Sequence, residues 1–396
     1  MASQDTPAAT QEAAERKRAF RSILGSTIAL EFGLGLQRGI FNNFVVEALH
    51  IQPDQLGFVQ SVREIPGLLT APLAVAQGYF RENVWAGLCL ITAAGGLLFH
   101  AAVSSVAALI AATLVLSTGF HLFYPVQSSI VMKVSLPEER ATKMGQLNSG
   151  AAAASLMSVG VVMAVSRLGG TNYSLLHVLA AVFPLLGGLA VVAQKMGNET
   201  KVKRSVDYNP RYMSYYILSF LSGARRHITM TFAGFLLVET FHTPVSVMVL
   251  LSACASVVAI VTRPLIGRVV DTWGEQRSLV LNYSLVVTLF LGYALVRSPL
   301  PLYVIYVLDN GLMGFDVAIT THLGRIAPKE VLSAAYAMGN TINHVTGVAV
   351  PAAGGLLWKA LGGPAVFLSG AAVAMVSLLY SRGLHRREAM AISDAS

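Results

Sequence analysis

The chain has 396 residues, of which 54% are hydrophobic and only 12% are charged. A typical soluble domain carries about 25% charged residues, so this composition excludes an ordinary soluble enzyme and a disordered chain. The net charge is +8, but the Lys and Arg lie in short loops between apolar stretches, which is typical of membrane topology and not of nucleic-acid binding. We therefore expect a helical membrane protein with several spans.

Apolar stretches long enough to cross a bilayer recur along the chain. A hydrocarbon core of about 30 Å needs about 20 apolar residues in a helix. The first six expected spans are 20–46, 55–79, 84–102, 105–132, 141–166 and 173–194, and the second six are 212–239, 244–270, 279–297, 300–326, 331–357 and 362–381. These ranges predict an all-α integral membrane protein with twelve transmembrane helices in two pseudo-symmetric bundles, residues 20–194 and 212–381.

The remaining polar segments are expected to be an N-terminal tail at 1–19, a basic linker at 195–211 and a C-terminal tail at 382–396. When the N-terminus is placed in the cytoplasm, nearly all loop Lys and Arg fall on the cytoplasmic side. The exceptions are Arg167, Arg297 and Lys359. Because positive loops stay in the cytoplasm, we expect both termini there, in a bacterial-type cell (inner) membrane.

Short sequence features recur between the two halves at an offset of 192 residues. The clearest pairs are 46–47 with 238–239 and 72–73 with 264–265. Together with the six-plus-six division of the spans, they indicate duplicated halves. Internal repeats are typical of secondary transporters, whose substrate site lies between the repeats near the bilayer midplane.

Residues 263–277 read RPLIGRVVDTWGEQR, between the eighth and ninth expected spans. This segment resembles the signature loop of the major facilitator superfamily, G-x-x-x-D-x-x-G-x-x-R, at Gly267, Asp271, Gly274 and Arg277. The resemblance implies that superfamily's twelve-helix fold, transport by alternating access and a gating role for these four residues. We expect Arg325 as the partner of Asp271, close helix packing at Gly267 and a tight turn at Gly274.

Ionisable side chains inside the spans are costly, so each one is a functional candidate. The resemblance places spans one, four, seven and ten around a central cavity. The expected substrate-binding or coupling residues are Glu31, Arg38, Arg225, Arg226, Asp316, Tyr124, Gln127, Asn340 and Asn343. A gating or structural role is expected for Arg63, Glu64 and Asp309, whereas His227 and His344 are interpreted as packing residues. Adjacent Arg225 and Arg226 point about 100° apart, so both cannot face one cavity, and the sequence leaves open which one does.

These residues predict a secondary active transporter for a small anionic organic solute, with one Arg binding the anion and one carboxylate carrying a coupling proton. Drug or amphipath efflux by proton antiport is an alternative, and so is a non-transporting sensor or scaffold. The sequence contains no H-E-x-x-H, no G-x-S-x-G and no phosphate-binding loop, so we expect no enzyme, metal or cofactor. The expected partners are a small-molecule substrate, H⁺ and the lipid bilayer, with no nucleic acid, for a monomeric chain.

Overall fold

The computed structural model describes residues 7–70, 79–169, 171–194, 208–328 and 331–384, and these residues are almost entirely helical. In chain order the helices are α1 (Pro7–Asn43), α2 (Pro53–Leu68), α3 (Glu82–His100), α4 (Val106–Val134), α5 (Arg140–Gly169), α6 (Tyr173–Val192), α7 (Met213–Ile228), α8 (Gly234–Glu239), α9 (Val245–Leu295), α10 (Pro299–Gly311), α11 (Val317–Ile326), α12 (Leu332–Leu361) and α13 (Gly363–Arg382). Short 3₁₀ turns lie at Pro137–Glu139, Pro210–Tyr212 and Leu312–Asp316.

Two π-helical segments extend helices of this set. Phe44–Ala48 follows α1, and Thr229–Ala233 joins α7 to α8. Eight helical stretches of the described residues are long and apolar enough to cross a membrane. The all-α membrane fold is confirmed, and the helical segments are consistent with the twelve expected spans.

Helix α9 covers the eighth and ninth expected spans together. Gly274 interrupts it, because φ of 78° and ψ of 165° at this residue are not helical. A positive φ is cheap only for glycine, so the two spans meet at this residue without a longer loop. Helix α1 begins earlier than expected, at Pro7, so the part of the tail 1–19 from residue 7 onward is helical. Most of the expected linker and C-terminal tail lies outside the described residues.

Contacts divide the chain into two compact units. The first contains the described parts of Met1–Phe41 and Leu69–Val202, and the second contains those of Asn42–Leu68 and Lys203–Ser396. Residues 42–68, which we expected in the N-terminal bundle, thus make their main contacts in the second unit. The division into bundles at 20–194 and 212–381 stays a prediction.

In the first unit, small residues allow close helix packing. A Cβ on Gly119 of α4 would lie 2.6 Å from the carbonyl oxygen of Cys89 in α3. A Cβ on Gly187 of α6 would lie 3.1 Å from Cβ of Ala29 in α1, and Ser26 Oγ donates to the Gly187 carbonyl at 2.9 Å. These contacts fix α1 against α6 and α3 against α4.

In the second unit, α2 and α7 both pack on α12. A Cβ on Gly57 of α2 would lie 3.1 Å from Cα of Gly355 in α12, so the two backbones are in direct contact. Lys359 Nζ donates to Asp54 Oδ2 at 2.8 Å at the end of the same helix pair. On α7, a Cβ at Gly223 would lie 3.1 Å from the Asn343 amide nitrogen. This packing brings polar side chains of three helices together.

Candidate functional site

A carboxylate of the first unit, Glu31 in α1, is held by two donors. The hydroxyl of Tyr124 in α4 donates to Glu31 Oε1 at 2.5 Å, and Arg38 Nη2 donates to Oε2 at 2.9 Å. The Glu31 side chain is 13% exposed and that of Arg38 is 46% exposed. Gln127, three residues after Tyr124 in α4, is buried, and its Oε1 accepts no hydrogen bond from the described residues. The seven-residue spacing of Glu31 and Arg38 therefore yields an ion pair on one face of α1.

The adjacent arginines of α7 have different environments, and this is the most informative feature of the second unit. Arg225 is buried, and its Nη1 lies 3.6 Å from Oδ1 of the equally buried Asp309 in α10. Thr229 Oγ1 donates to Asp309 Oδ2 at 2.8 Å. Arg225 is therefore neutralised by a carboxylate inside the protein.

Arg226 is half-buried, and its guanidinium donates to the side-chain oxygen of Asn343 in α12. No described Asp or Glu forms an ion pair with it. His227 Nε2 lies 3.4 Å from the same Asn343 oxygen, so one amide contacts both side chains. Asn340, one turn earlier on α12, is exposed and forms no side-chain hydrogen bond with the described residues. Of the two arginines, only Arg225 therefore has an ion-pair partner among the described residues.

Asp316 lies at the end of the 3₁₀ turn Leu312–Asp316 and accepts a hydrogen bond from Ser222 Oγ at 2.6 Å. No described cation forms an ion pair with it. Ser222 precedes Arg225 by three residues, so Asp316 and Asp309 contact one face of α7 about one turn apart. The two carboxylates, seven residues apart, thus both contact α7, but only Asp309 forms an ion pair with an arginine.

Glu64 of α2 pairs with His344 of α12, and Glu64 Oε2 lies 3.0 Å from His344 Nδ1. Arg63 Nη1 lies 3.3 Å from the side-chain oxygen of a glutamine one turn earlier. Gly347 of α12 is surrounded by the same group, because its Cβ would lie 2.7 Å from Glu64 Cγ and 2.8 Å from His227 Cε1. We call this group the polar cluster; it consists of Glu64, Arg226, His227, Asn343 and His344.

The motif loop contains the sharp turn that the sequence predicts at Gly274. Gln276 Nε2 donates to the carbonyl oxygen of Arg382, at the end of α13, at 2.6 Å. Gln276, which occupies an unspecified (x) position of the motif, therefore connects the loop to the last helix of the second unit by a hydrogen bond.

The expected pairing of Asp271 with Arg325 is not found among the described residues. Arg325 Nε lies 3.5 Å from Glu275 Oε1, and Asp271 is exposed without an ion pair to any described residue. Close packing at Gly267 is also not found, because a Cβ there would meet no described atom within 4 Å. Arg277 is exposed.

Sequence reasoning missed three residues that complete these contacts, namely Ser222, Thr229 and Glu275. Ser222 and Thr229 lie three residues before and four residues after Arg225, which places them on its face of α7. That spacing is a usable signal for buried partners of a charged residue. His344 was interpreted as a packing residue, whereas it contacts Glu64 directly.

Comparisons with known proteins identify the fold. The family model described as Major Facilitator Superfamily matches residues 23–312 and 215–394. A mutant form of the nucleoside transporter NupG aligns with a TM-score of 0.78 at 14% identity, over 92% of this chain and 98% of that one. None of the curated proteins matches the sequence.

Two further solved structures share the fold. A bacterial homologue of the human lysosomal transporter Spinster, inward-facing and unoccupied, aligns with a TM-score of 0.70 at 14% identity, over 95% of each chain. A mutant of the peptide transporter POT in complex with sulfate aligns with a TM-score of 0.72 at 14% identity, over 94% of this chain and 95% of that one.

Proposed function

We propose that this chain, which belongs to the major facilitator superfamily, moves a small anionic organic solute across the membrane by alternating access, coupled to protons. Membership of this superfamily makes the chain a multi-pass membrane protein with a transporter fold. The observation that carries the choice of an anion is that the guanidinium of Arg226 has no ion-pair partner among the described residues, while Glu64, the carboxylate of the same cluster, pairs with His344. Arg226 lies beside Arg225, whose charge is already neutralised by Asp309.

The donor inventory of Arg226 supports this choice. A guanidinium has five N–H donors, and the Asn343 oxygen occupies one direction only. An unpaired cation in a membrane-spanning helix is costly, so a carboxylate of a solute gains both charge neutralisation and a bidentate hydrogen bond there. Lys could neutralise the same anion but could not present two parallel donors.

The rest of the polar cluster positions this guanidinium. Asn343 contacts Arg226 and His227 through one oxygen, so the amide restricts the orientation of both side chains. His344 directly follows Asn343 in α12, so its pair with Glu64 of α2 lies beside this amide. We propose that this arrangement holds Arg226 ready for the anion and that the hydroxyl of Tyr124 and the amides of Gln127 and Asn340 contribute polar contacts elsewhere.

Asp316 is the carboxylate that we propose as the proton carrier. Among the described residues, the hydrogen bond to its carboxylate comes from the neutral hydroxyl of Ser222. No described cation forms an ion pair with this carboxylate. Glu31 is less suitable, because Arg38 and Tyr124 both donate to its carboxylate. A protonated Asp316 would remove a charge from the interior of the membrane, which favours the reorientation of the empty or loaded protein.

The gating role of the motif loop also belongs to this proposal. The pair between Arg325 and Glu275 and the hydrogen bond of Gln276 tie the loop to other helices of the second unit. We propose that these contacts form and break during the transport cycle, with Asp271 and Arg277 exposed for partners in other states. The chain acts as a monomer in the cytoplasmic membrane with both termini in the cytoplasm.

The test is the thermal stability of the purified protein with small carboxylates, organic phosphates and lipophilic cations. A ligand at 100 times its dissociation constant stabilises the folded state by about 2.7 kcal/mol. We expect stabilisation by one class of anions, its loss in Arg226→Gln and its retention in Arg268→Gln, which removes the same charge from an exposed position. Stabilisation by lipophilic cations alone would favour efflux of amphipaths instead. Stabilisation by no ligand would favour a sensor or scaffold.

A further inference from the structure

A groove of about 710 Å³ opens between the ends of α1 and α6 in the first unit, away from Glu31. The two helices touch at Ser26 and Gly187 and separate toward Lys17 and Gln194. Gly25 lines the groove and is exposed, and a Cβ there would meet no described atom within 4 Å. A larger side chain at this position would therefore extend into the groove.

Three basic side chains line the polar end of the groove. Lys17, Arg18 and Arg21 line it, are exposed and form no ion pair with the described residues. At 100° per residue, the three lie within an arc of about 100° on α1. The nearest acid on this helix, Glu15, accepts a hydrogen bond from Gln11 at 3.3 Å, and Glu12 pairs with Arg16 at 3.4 Å. Neither acid forms an ion pair with the three basic side chains of the groove.

The other end of the groove is apolar. Ala29 of α1 and Phe183 and Leu186 of α6 line it, and the Leu186 side chain is 58% exposed. The distance from Arg21 to Ala29 along the helix is about 12 Å, at 1.5 Å per residue. Positive charge and an apolar surface thus follow one another along one groove.

We propose that this groove binds an anionic phospholipid, with the phosphate at Lys17, Arg18 and Arg21 and the first part of one acyl chain along Phe183 and Leu186. Juxtamembrane basic clusters attract anionic headgroups, and basic pockets between transmembrane helices bind them specifically. A free phosphate would use the basic end alone. The apolar half of the groove therefore favours the lipid.

The test measures lipid binding to the purified full-length protein in non-ionic detergent by native mass spectrometry. Phosphatidylglycerol and phosphatidylcholine are compared, with inorganic phosphate as competitor. The variant Lys17→Gln/Arg18→Gln/Arg21→Gln is paired with a control of equal charge in the second unit, Arg211→Gln/Arg268→Gln/Arg382→Gln, whose three residues are exposed. Each Lys or Arg near an anionic lipid surface adds to the attraction for the headgroup. The loss of three such residues in the first variant should therefore weaken phosphatidylglycerol binding about 100-fold. The affinity of the control variant for phosphatidylglycerol should stay within about twofold of the wild type, a change too small to indicate the loss of a specific contact.

A steric variant gives a second readout that leaves the charge unchanged. Gly25→Leu places a side chain in the open groove, and we expect it to weaken phosphatidylglycerol binding while the protein stays folded. Equal loss in both charge variants, equal affinity for phosphatidylcholine, or wild-type binding in Gly25→Leu would overturn the proposal. Displacement of phosphatidylglycerol by millimolar inorganic phosphate would identify a site for free phosphate and would also overturn it.

Discussion

The buried pair between Arg225 and Asp309 offers the sharpest energetic prediction, because both side chains are almost completely buried, at 2% and 0% exposure. Two unit charges 3.6 Å apart attract by about 4.6 kcal/mol at an effective dielectric constant of about 20. In Asp309→Asn the hydrogen bond from Thr229 can persist, whereas the charge that neutralises Arg225 is lost. Breaking a buried pair in this way costs about 3–5 kcal/mol, and we expect that loss in the free energy of unfolding.

The double variant Arg225→Met/Asp309→Leu separates the effect of charge from that of packing. Replacing both partners by apolar side chains is often close to neutral, so the double variant should be less destabilised than Asp309→Asn alone. The assay is reversible unfolding of the purified protein in mixed micelles, followed by tryptophan fluorescence. Asp271→Asn is the control, and we expect a change within about 0.5 kcal/mol because the residue is exposed. Additive losses in the double variant would refute the reasoning.

Three further predictions concern the ends of helices and the proton. Asp54 lies just outside the expected spans, and the hydrogen bond from Lys359 lowers the pKa of its carboxyl group. The pair therefore stabilises the folded protein above the ordinary pKa of Asp, and this stabilisation is lost as the pH falls below about 4. Unfolding titrations should show a weaker acid dependence in Lys359→Gln. Gly274→Ala should cost about 1–3 kcal/mol in an unfolding assay because φ is 78°, whereas Gly145→Ala in an ordinary helical turn should not destabilise. Asp316→Asn should make substrate counterflow independent of pH, and unchanged pH dependence would contradict a proton-carrying role.

The helices could be predicted from the sequence because apolar length and loop charge are local properties of the chain. Twelve apolar stretches and one glycine-containing loop were sufficient to expect the fold and the sharp turn at Gly274. The helix start at Pro7 was missed because polar residues there form a helix without an apolar stretch to mark it.

The partners of individual charges could be predicted only in part. The spacing of Arg225 and Arg226 showed that they point in different directions, but not which neighbouring helix each one meets. That choice depends on the packing of α7 against α10 and α12, which brings Asp309 to one arginine and Asn343 to the other. In the same way, the motif indicated an acidic partner for Arg325, but only the packing shows that Glu275 lies within reach.

Solute uptake into proteoliposomes shows whether Arg226 binds a substrate anion. The measurement compares the wild type, Arg226→Gln and Arg268→Gln under an imposed pH gradient, with the anion that best stabilises the purified protein. We expect accumulation by the wild type and by Arg268→Gln, and at most background uptake by Arg226→Gln. Uptake by Arg226→Gln at the wild-type rate and affinity would show that Arg226 does not bind the transported anion.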